Sequence, residues 1–281
     1  TQGWLNTMDS TSNVRGNPPF IVATVSGACN TLATSPDCAN TKIATFLGPG
    51  TFCVSNASPC AANNVVSYVV AAGGAGGGAG NGGSYASGGG GAGGFREYKS
   101  PVTPYTASPK DGNPGGTEIT VSASPYPIVV GGGGAGSTAS GCTPGVSGGV
   151  STFSTICAAG GGGGGAGCGG GSPGVAGGSG GGGGSTSPGT SPGGAGDTPP
   201  VSPPQGNPGG NHPPSIAENA ASGGGATAAG ADAVTPTPNP VAGGAGATTS
   251  ISATPTTYST GGASGNWPSG ATINGPDNSG T

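Results

Sequence analysis

Four short, mostly apolar runs, each with a single Ser or Thr, stand near the start of the chain: residues 19–25, 43–47, 51–54 and 65–70. Each run is rich in β-branched or aromatic residues and is bounded by turn formers such as Gly48-Pro49-Gly50. That is the signature of short, half-buried strands. Residues 1–72 are therefore expected to form a small antiparallel β unit of about four strands, acting as an attachment or capping segment.

The pattern changes at residue 73. Only five of the chain's 69 glycines (Gly3, Gly16, Gly27, Gly48 and Gly50) come before it. Beyond it, glycine tracts near 73–83, 88–94, 131–136, 160–171, 177–184, 193–195, 223–225 and 243–246 alternate with segments rich in Ser, Thr, Pro and Asn, such as 100–116 and 197–214. No window carries the 3.6-residue apolar repeat, and alanine scattered among glycine loses its helix preference. The fold class expected is all-β and non-helical, with residues 73–281 as a second, glycine-rich region.

An isolated glycine tract stays flexible, because fixing each residue costs about 1–2 kcal/mol of backbone entropy. Many tracts side by side behave differently. In an extended helix of three residues per turn, every N–H and C=O points outward. Without Cβ atoms, neighbouring tracts approach closely enough to exchange those hydrogen bonds and Cα–H···O contacts. The apolar residues set directly against tracts, at 68–72 and 126–130, read as anchors, which a flexible linker does not need. The expected architecture is a bundle of polyglycine II-type extended helices with long polar loops.

Composition agrees with a core made of backbone. Leu, Ile, Val and Phe number 3, 8, 18 and 5 in 281 residues, too few for an ordinary apolar interior. Charged residues are 5% of the chain and the net charge is −4, so the self-repulsion that keeps disordered chains open is weak. All five basic residues (Arg15, Lys42, Arg96, Lys99 and Lys110) fall in the first 110 positions. Nucleic acid, whose phosphates demand Lys and Arg, is not an expected partner. The longest aliphatic run, 65–72, is too short to cross a bilayer, so membrane insertion is not expected either.

Seven cysteines stand at 29, 38, 53, 60, 142, 157 and 168. Cys29–Cys38 and Cys53–Cys60 are expected as short-range disulfides, with one further pair drawn from Cys142, Cys157 and Cys168. A zinc site would need paired Cys and His spacings that the chain lacks, since His212 is its one histidine. Disulfides imply a place outside the reducing cytosol.

Motifs for catalysis are absent. The pattern G-x-G-x-x-G recurs, but without the preceding strand, following helix and lysine that make it hold phosphate. His212 sits in Asn211-His212-Pro213-Pro214 with no nucleophile elbow to serve. Glu97, Asp111 and Glu118 read as scattered loop acids, and Asn56-Ala57-Ser58 is a formal glycosylation acceptor. No enzyme activity and no cofactor are expected. Phe153 and Tyr126 read as packing anchors. Tyr98, Tyr105, Tyr258 and Trp267 fall in loops, where aromatic faces suit sugars or protein surfaces. Together with His212 they are the candidate receptor-binding residues.

The succession Val69-Val70-Ala71-Ala72-Gly73-Gly74, Gly93-Gly94-Phe95-Arg96-Glu97, Ser124-Pro125-Tyr126-Pro127-Ile128-Val129-Val130-Gly131 and Ser151-Thr152-Phe153-Ser154-Thr155-Ile156 resembles the glycine-rich domain of bacteriophage tail-fibre and other virion proteins, over roughly residues 41–265. The proline-rich stretch from Thr198 to Gly210 adds to the likeness. In architecture alone the chain is similar to tail-fibre tip adhesins built from stacked polyglycine II helices. The resemblance implies a virion-surface, extracellular protein whose inter-tract loops bind a host-cell surface glycan or outer-membrane protein, alongside other tail or fibre proteins. A structural alternative is a fibre or filament subunit that assembles with copies of itself.

Overall fold

The computed structural model describes residues 20–80, 85–138, 142–214, 219–234 and 240–265. Its strands are β1 (Val22–Val25), β2 (Thr31–Thr34), β3 (Lys42–Thr45), β4 (Gly50–Asn56), β5 (Val65–Val66), β6 (Tyr68–Ala71), β7 (Phe95–Tyr98), β8 (Ile119–Thr120), β9 (Pro125–Val129), β10 (Ser151–Phe153), β11 (Ile156–Ala158), β12 (Ala247–Thr249) and β13 (Thr256–Tyr258). A 3-10 turn, Ala61–Asn64, precedes β5. Among the described residues there is no α-helix, and the fold is all-β.

The strands pair across the composition break. A five-stranded sheet runs in the order β1-β4-β9-β10-β11, and the remaining strands form the pairs β2-β3, β5-β8, β6-β7 and β12-β13. Within residues 20–72 only β1 with β4 and β2 with β3 find partners, whereas β4, β5 and β6 also reach β9, β8 and β7. Period-two alternation marks a strand but not its partner. The partner is chosen by which apolar faces meet. Phe52 stands opposite Tyr126, and both rings lie against Phe153, at 6.3 and 6.2 Å.

Phe153 is the hub of the one sizeable apolar core. Its ring meets Phe52, Tyr68 and Tyr126 edge-on, at interplanar angles of 85°, 79° and 72°, the arrangement that aromatic quadrupoles favour. Val54, Val70, Ile119, Val121 and Ile156 close around it. Strand β6 serves two cores by its pleat. Tyr68 and Val70 face this one, while Val69 turns to a smaller cluster of Phe95, Ala226, Ala247 and Tyr258.

Beyond the sheets, the glycine-rich tracts lie side by side and hydrogen-bond with a period of three. The N–H groups of Gly161, Gly164 and Gly167 donate to Gly73, Gly76 and Ala79, while those of Gly162, Gly165 and Cys168 donate to Ser179, Gly182 and Ser185. Each register of three thus serves one neighbour. In the innermost tract, 178–185, every N–H is bonded: Ser179, Gly182 and Ser185 to Ala92, Gly89 and Ala86, Gly180 and Gly183 to Asn207 and Gly210, and Gly181 and Gly184 to Val175 and Ser172, with Gly178 donating to Gly160. A Cβ on Gly181 would overlap the carbonyl of Gly163. Close approach of backbones, rather than turn geometry, therefore requires glycine here.

One disulfide joins Cys142 to Cys168, with Cα atoms 5.6 Å apart. It ties together the ends of two tracts that are already paired through Gly145 to Gly164 and Gly148 to Gly161. The expected short-range bridges are corrected: Cys29, Cys38, Cys53, Cys60 and Cys157 carry free thiols. Strand β2 runs extended between Cys29 and Cys38, a span of about 13 Å for its four residues, whereas bridged Cα atoms lie within about 7 Å. Strand β4 stays extended from Cys53 to Asn56, which carries the chain away before the turn that bears Cys60.

Candidate functional site

Of the sequence-predicted aromatic residues, Tyr98, Tyr105 and Tyr258 gather at the sheet end of the bundle, where they are structural. Tyr98 is buried on β7 and stacks on Tyr68 with centroids 6.2 Å apart. Tyr258 on β13 stacks on Phe95 at 6.4 Å. Tyr105 is half-buried in the loop after β7, its hydroxyl donating to the Tyr98 carbonyl at 3.4 Å and its ring lying under the Lys99 ammonium at 5.8 Å. Burial, together with the negative charges of Glu97 and Asp111, pushes the Tyr105 hydroxyl well above its ordinary value of 10.

These loops are held by charge used internally. Glu97 is buried; its Oε1 accepts the Thr249 hydroxyl at 2.6 Å and its Oε2 the Ser108 N–H at 2.9 Å. Asp111 Oδ1 accepts the N–H groups of Lys99 and Asn113 at 2.9 and 3.1 Å, and Asn113 Nδ2 donates to the Lys99 carbonyl at 2.8 Å. Arg96 donates to the Ser202 carbonyl and Lys110 to that of Pro204, at 3.2 and 3.0 Å. Partial burial lowers the Lys110 ammonium, with Asp197 opposing the shift. The acids predicted to be scattered are thus partly organised: Glu97 and Asp111 clasp loops, as donor-rich carboxylates do.

Two residues that sequence reading missed shape the proline-rich loop. Asp197 Oδ1 accepts the N–H groups of Val201 at 3.2 Å and Gln205 at 3.0 Å. Gln205 Nε2 donates to the Pro199 carbonyl at 2.7 Å, and its Oε1 accepts the Ala159 N–H at 2.8 Å. An aspartate opening a proline run is the available signal, since its side chain mimics a backbone turn.

His212 lies elsewhere. It is buried, and its backbone exchanges two hydrogen bonds with Ser191, at 2.8 and 3.0 Å. Trp267 falls outside the described residues. The aromatic candidates therefore do not form one exposed patch. His212 and Ser191 belong to the opposite end of the tracts, because tract 73–80 leaves β6 and tract 86–94 returns to β7. Eight extended residues span about 25 Å. At that end stand the turns 168–172 and 186–191, with the Tyr85 hydroxyl donating to the Ser187 carbonyl at 3.5 Å. Ser187, Pro188 and Thr190 are exposed there, as are Gly169, Gly170 and Pro214. Among the described residues no group of His, Cys, Asp and Glu is arranged to hold a metal ion.

The family model of the glycine-rich domain matches residues 49–281. The chain belongs to the glycine-rich domain family. The match begins one residue before β4, so the glycine-rich domain takes in the five-stranded sheet except for its edge strand β1. Strands β1, β2 and β3 precede it. No curated protein and no solved structure matches the chain.

Proposed function

We propose that this glycine-rich domain is a virion-surface protein, a tail-fibre component that binds a host-cell surface glycan or outer-membrane protein through loops carried between polyglycine II-type tracts. What supports the reading is the division of labour between tract and loop. Tracts are held by period-three backbone hydrogen bonds, so the exposed residues of the far-end turns, such as Ser187, Pro188 and Thr190, are not needed to hold them together. A scaffold of that kind tolerates change in its loops, where recognition concentrates.

The recognising surface in this reading lies at the end away from the sheets, around 168–172, 186–191 and 213–214. The aromatic loops at the sheet end are committed to packing, and the disulfide braces the opposite end. The bridge also favours an extracellular setting. Adsorption of the purified protein to candidate host cells, with competition against infection, tests this. The double substitution Pro188→Gly/Thr190→Ser, at exposed positions of this turn, should weaken adsorption while leaving the melting temperature nearly unchanged. Purified protein that neither adsorbs nor competes would overturn the reading.

A further inference from the structure

An open groove of about 1720 Å³ runs between the β2-β3 hairpin and the bundle, larger than the roughly 300–1,000 Å³ of small-molecule sites. Its floor is backbone. Along tract 72–79, Ala72, Ala75 and Gly78 donate to Gly94, Gly91 and Gly88, and Gly73, Gly76 and Ala79 donate to Gly149, Val146 and Thr143. The third register is open: the N–H groups of Gly74 and Gly77 have no acceptor among the described residues, although their carbonyls accept from Gly134 and Ser137. The neighbouring tract repeats this. Gly88, Gly91 and Gly94 donate to Gly165, Gly162 and Ala159, and Gly89 and Ala92 to Ala221 and Gly224, while the Gly90 N–H has no acceptor among the described residues. Gly74, Gly77 and Gly90 all line the groove.

The second observation concerns glycines that packing among the described residues does not require. A Cβ on Gly132 would meet nothing within 4 Å, and on Gly77, Gly133 and Gly136 nothing nearer than 3.5, 3.8 and 3.9 Å. These four also line the groove. In the interior, glycine is demanded by a neighbouring backbone; here the wall is bare, with no such neighbour among the described residues. Towards the sheet end the lining turns apolar, with Leu32, Ile43 and a half-exposed Leu47.

We propose that the groove seats an extended, glycine-rich segment of a separate polypeptide. Its glycine half takes up the open N–H register of Gly74, Gly77 and Gly90, and its apolar end packs on Leu32, Ile43 and Leu47. The mode is that of strand addition, in which main-chain hydrogen bonds supply affinity and side-chain pockets supply register. This inference does not depend on receptor binding.

A synthetic peptide with the sequence of residues 68–78 (Tyr-Val-Val-Ala-Ala-Gly-Gly-Ala-Gly-Gly-Gly) and a lysine solubility tail combines both halves and serves as the probe. Fluorescence anisotropy should detect binding, and amide exchange at Gly74, Gly77 and Gly90 should slow about tenfold or more in the complex. Gly132→Val and Gly133→Val should each weaken binding at least about tenfold while the melting temperature stays unchanged; Gly133→Ala is a milder second variant. Three results would each overturn the proposal. One is no binding at ~1 mM peptide. Another is binding that the variants leave unchanged. The last is a dimer in sedimentation that already protects these amides without peptide, which would give the groove to a second copy.

Discussion

Thr249 reaches Glu97 across 152 positions of chain, its hydroxyl donating to Oε1 at 2.6 Å inside the protein. The other oxygen of the same carboxylate takes the Ser108 N–H. One side chain thereby joins β7, the loop after it and β12. Glu97→Gln replaces one accepting oxygen with an amide NH2 that faces a donor, and the loss should be about 1–3 kcal/mol. Thr249→Val should cost about 1 kcal/mol alone, and in a double-mutant cycle the pair should couple by at least about 0.5 kcal/mol. Urea denaturation of the four proteins measures it.

The interior and the groove make opposite demands on glycine. Gly181→Ala puts a methyl into the Gly163 carbonyl, and the tracts must separate to admit it. The expected loss is about 3 kcal/mol, at the upper end of overpacking. Gly132→Ala meets open space and should change stability by less than about 0.5 kcal/mol. Thermal unfolding of the two variants side by side is the check.

Phe153 concentrates the apolar core. Its ring touches three other aromatic rings, and Phe153→Ala should cost about 3–5 kcal/mol. An outcome below about 1 kcal/mol would mean that backbone bonding alone holds the sheets. Denaturant titration followed by tyrosine fluorescence reads it directly.

Reduction should act through one bridge. Opening Cys142–Cys168, which closes 26 residues, should cost about 3.5 kcal/mol on the loop-entropy account. The melting temperature should fall with reductant in the natural protein and not in Cys142→Ser/Cys168→Ser. Cys29, Cys60 and Cys157 are exposed thiols and should react with a thiol reagent in the folded state without any such fall.

Alkaline pH should destabilise the protein. Burial raises the hydroxyls of Tyr68, Tyr98 and Tyr105 above the ordinary value of 10.0. Folded protein therefore keeps these protons where the unfolded chain has released them, so stability declines as pH rises above about 10. Tyr105→Phe should flatten that decline, as seen in unfolding curves between pH 8 and 11.5.

Much of the fold was legible in the sequence because its signals are local. The apolar, β-branched run at 65–70 announced strand, and tracts broken by Tyr68-Val69-Val70 and Tyr126-Pro127-Ile128 announced an anchored scaffold. The site was less legible. Tyr98 and Tyr258 stand where loops were expected, yet each finds an aromatic partner from another element. Exposure is a property of the assembled surface, and nothing in a residue's neighbours along the chain encodes it. The two short-range cysteine pairs failed for the same reason, whereas the further pair expected among Cys142, Cys157 and Cys168 forms as Cys142–Cys168. Proximity in sequence suggested Cys29 with Cys38, while an extended strand held them apart and tract packing brought Cys142 to Cys168.

By itself the sequence determined an all-β chain, low in charge and apolar carbon, whose glycine tracts had to find order in backbone hydrogen bonds. Those follow from covalent facts: what lacks a Cβ can approach closely, and what lacks apolar surface cannot bury it. Only the tertiary structure decided which tract lies beside which, because one glycine N–H is chemically the same as the next. It alone therefore showed that the registers of 178–185 are filled and that the N–H groups of Gly74, Gly77 and Gly90 have no acceptor among the described residues.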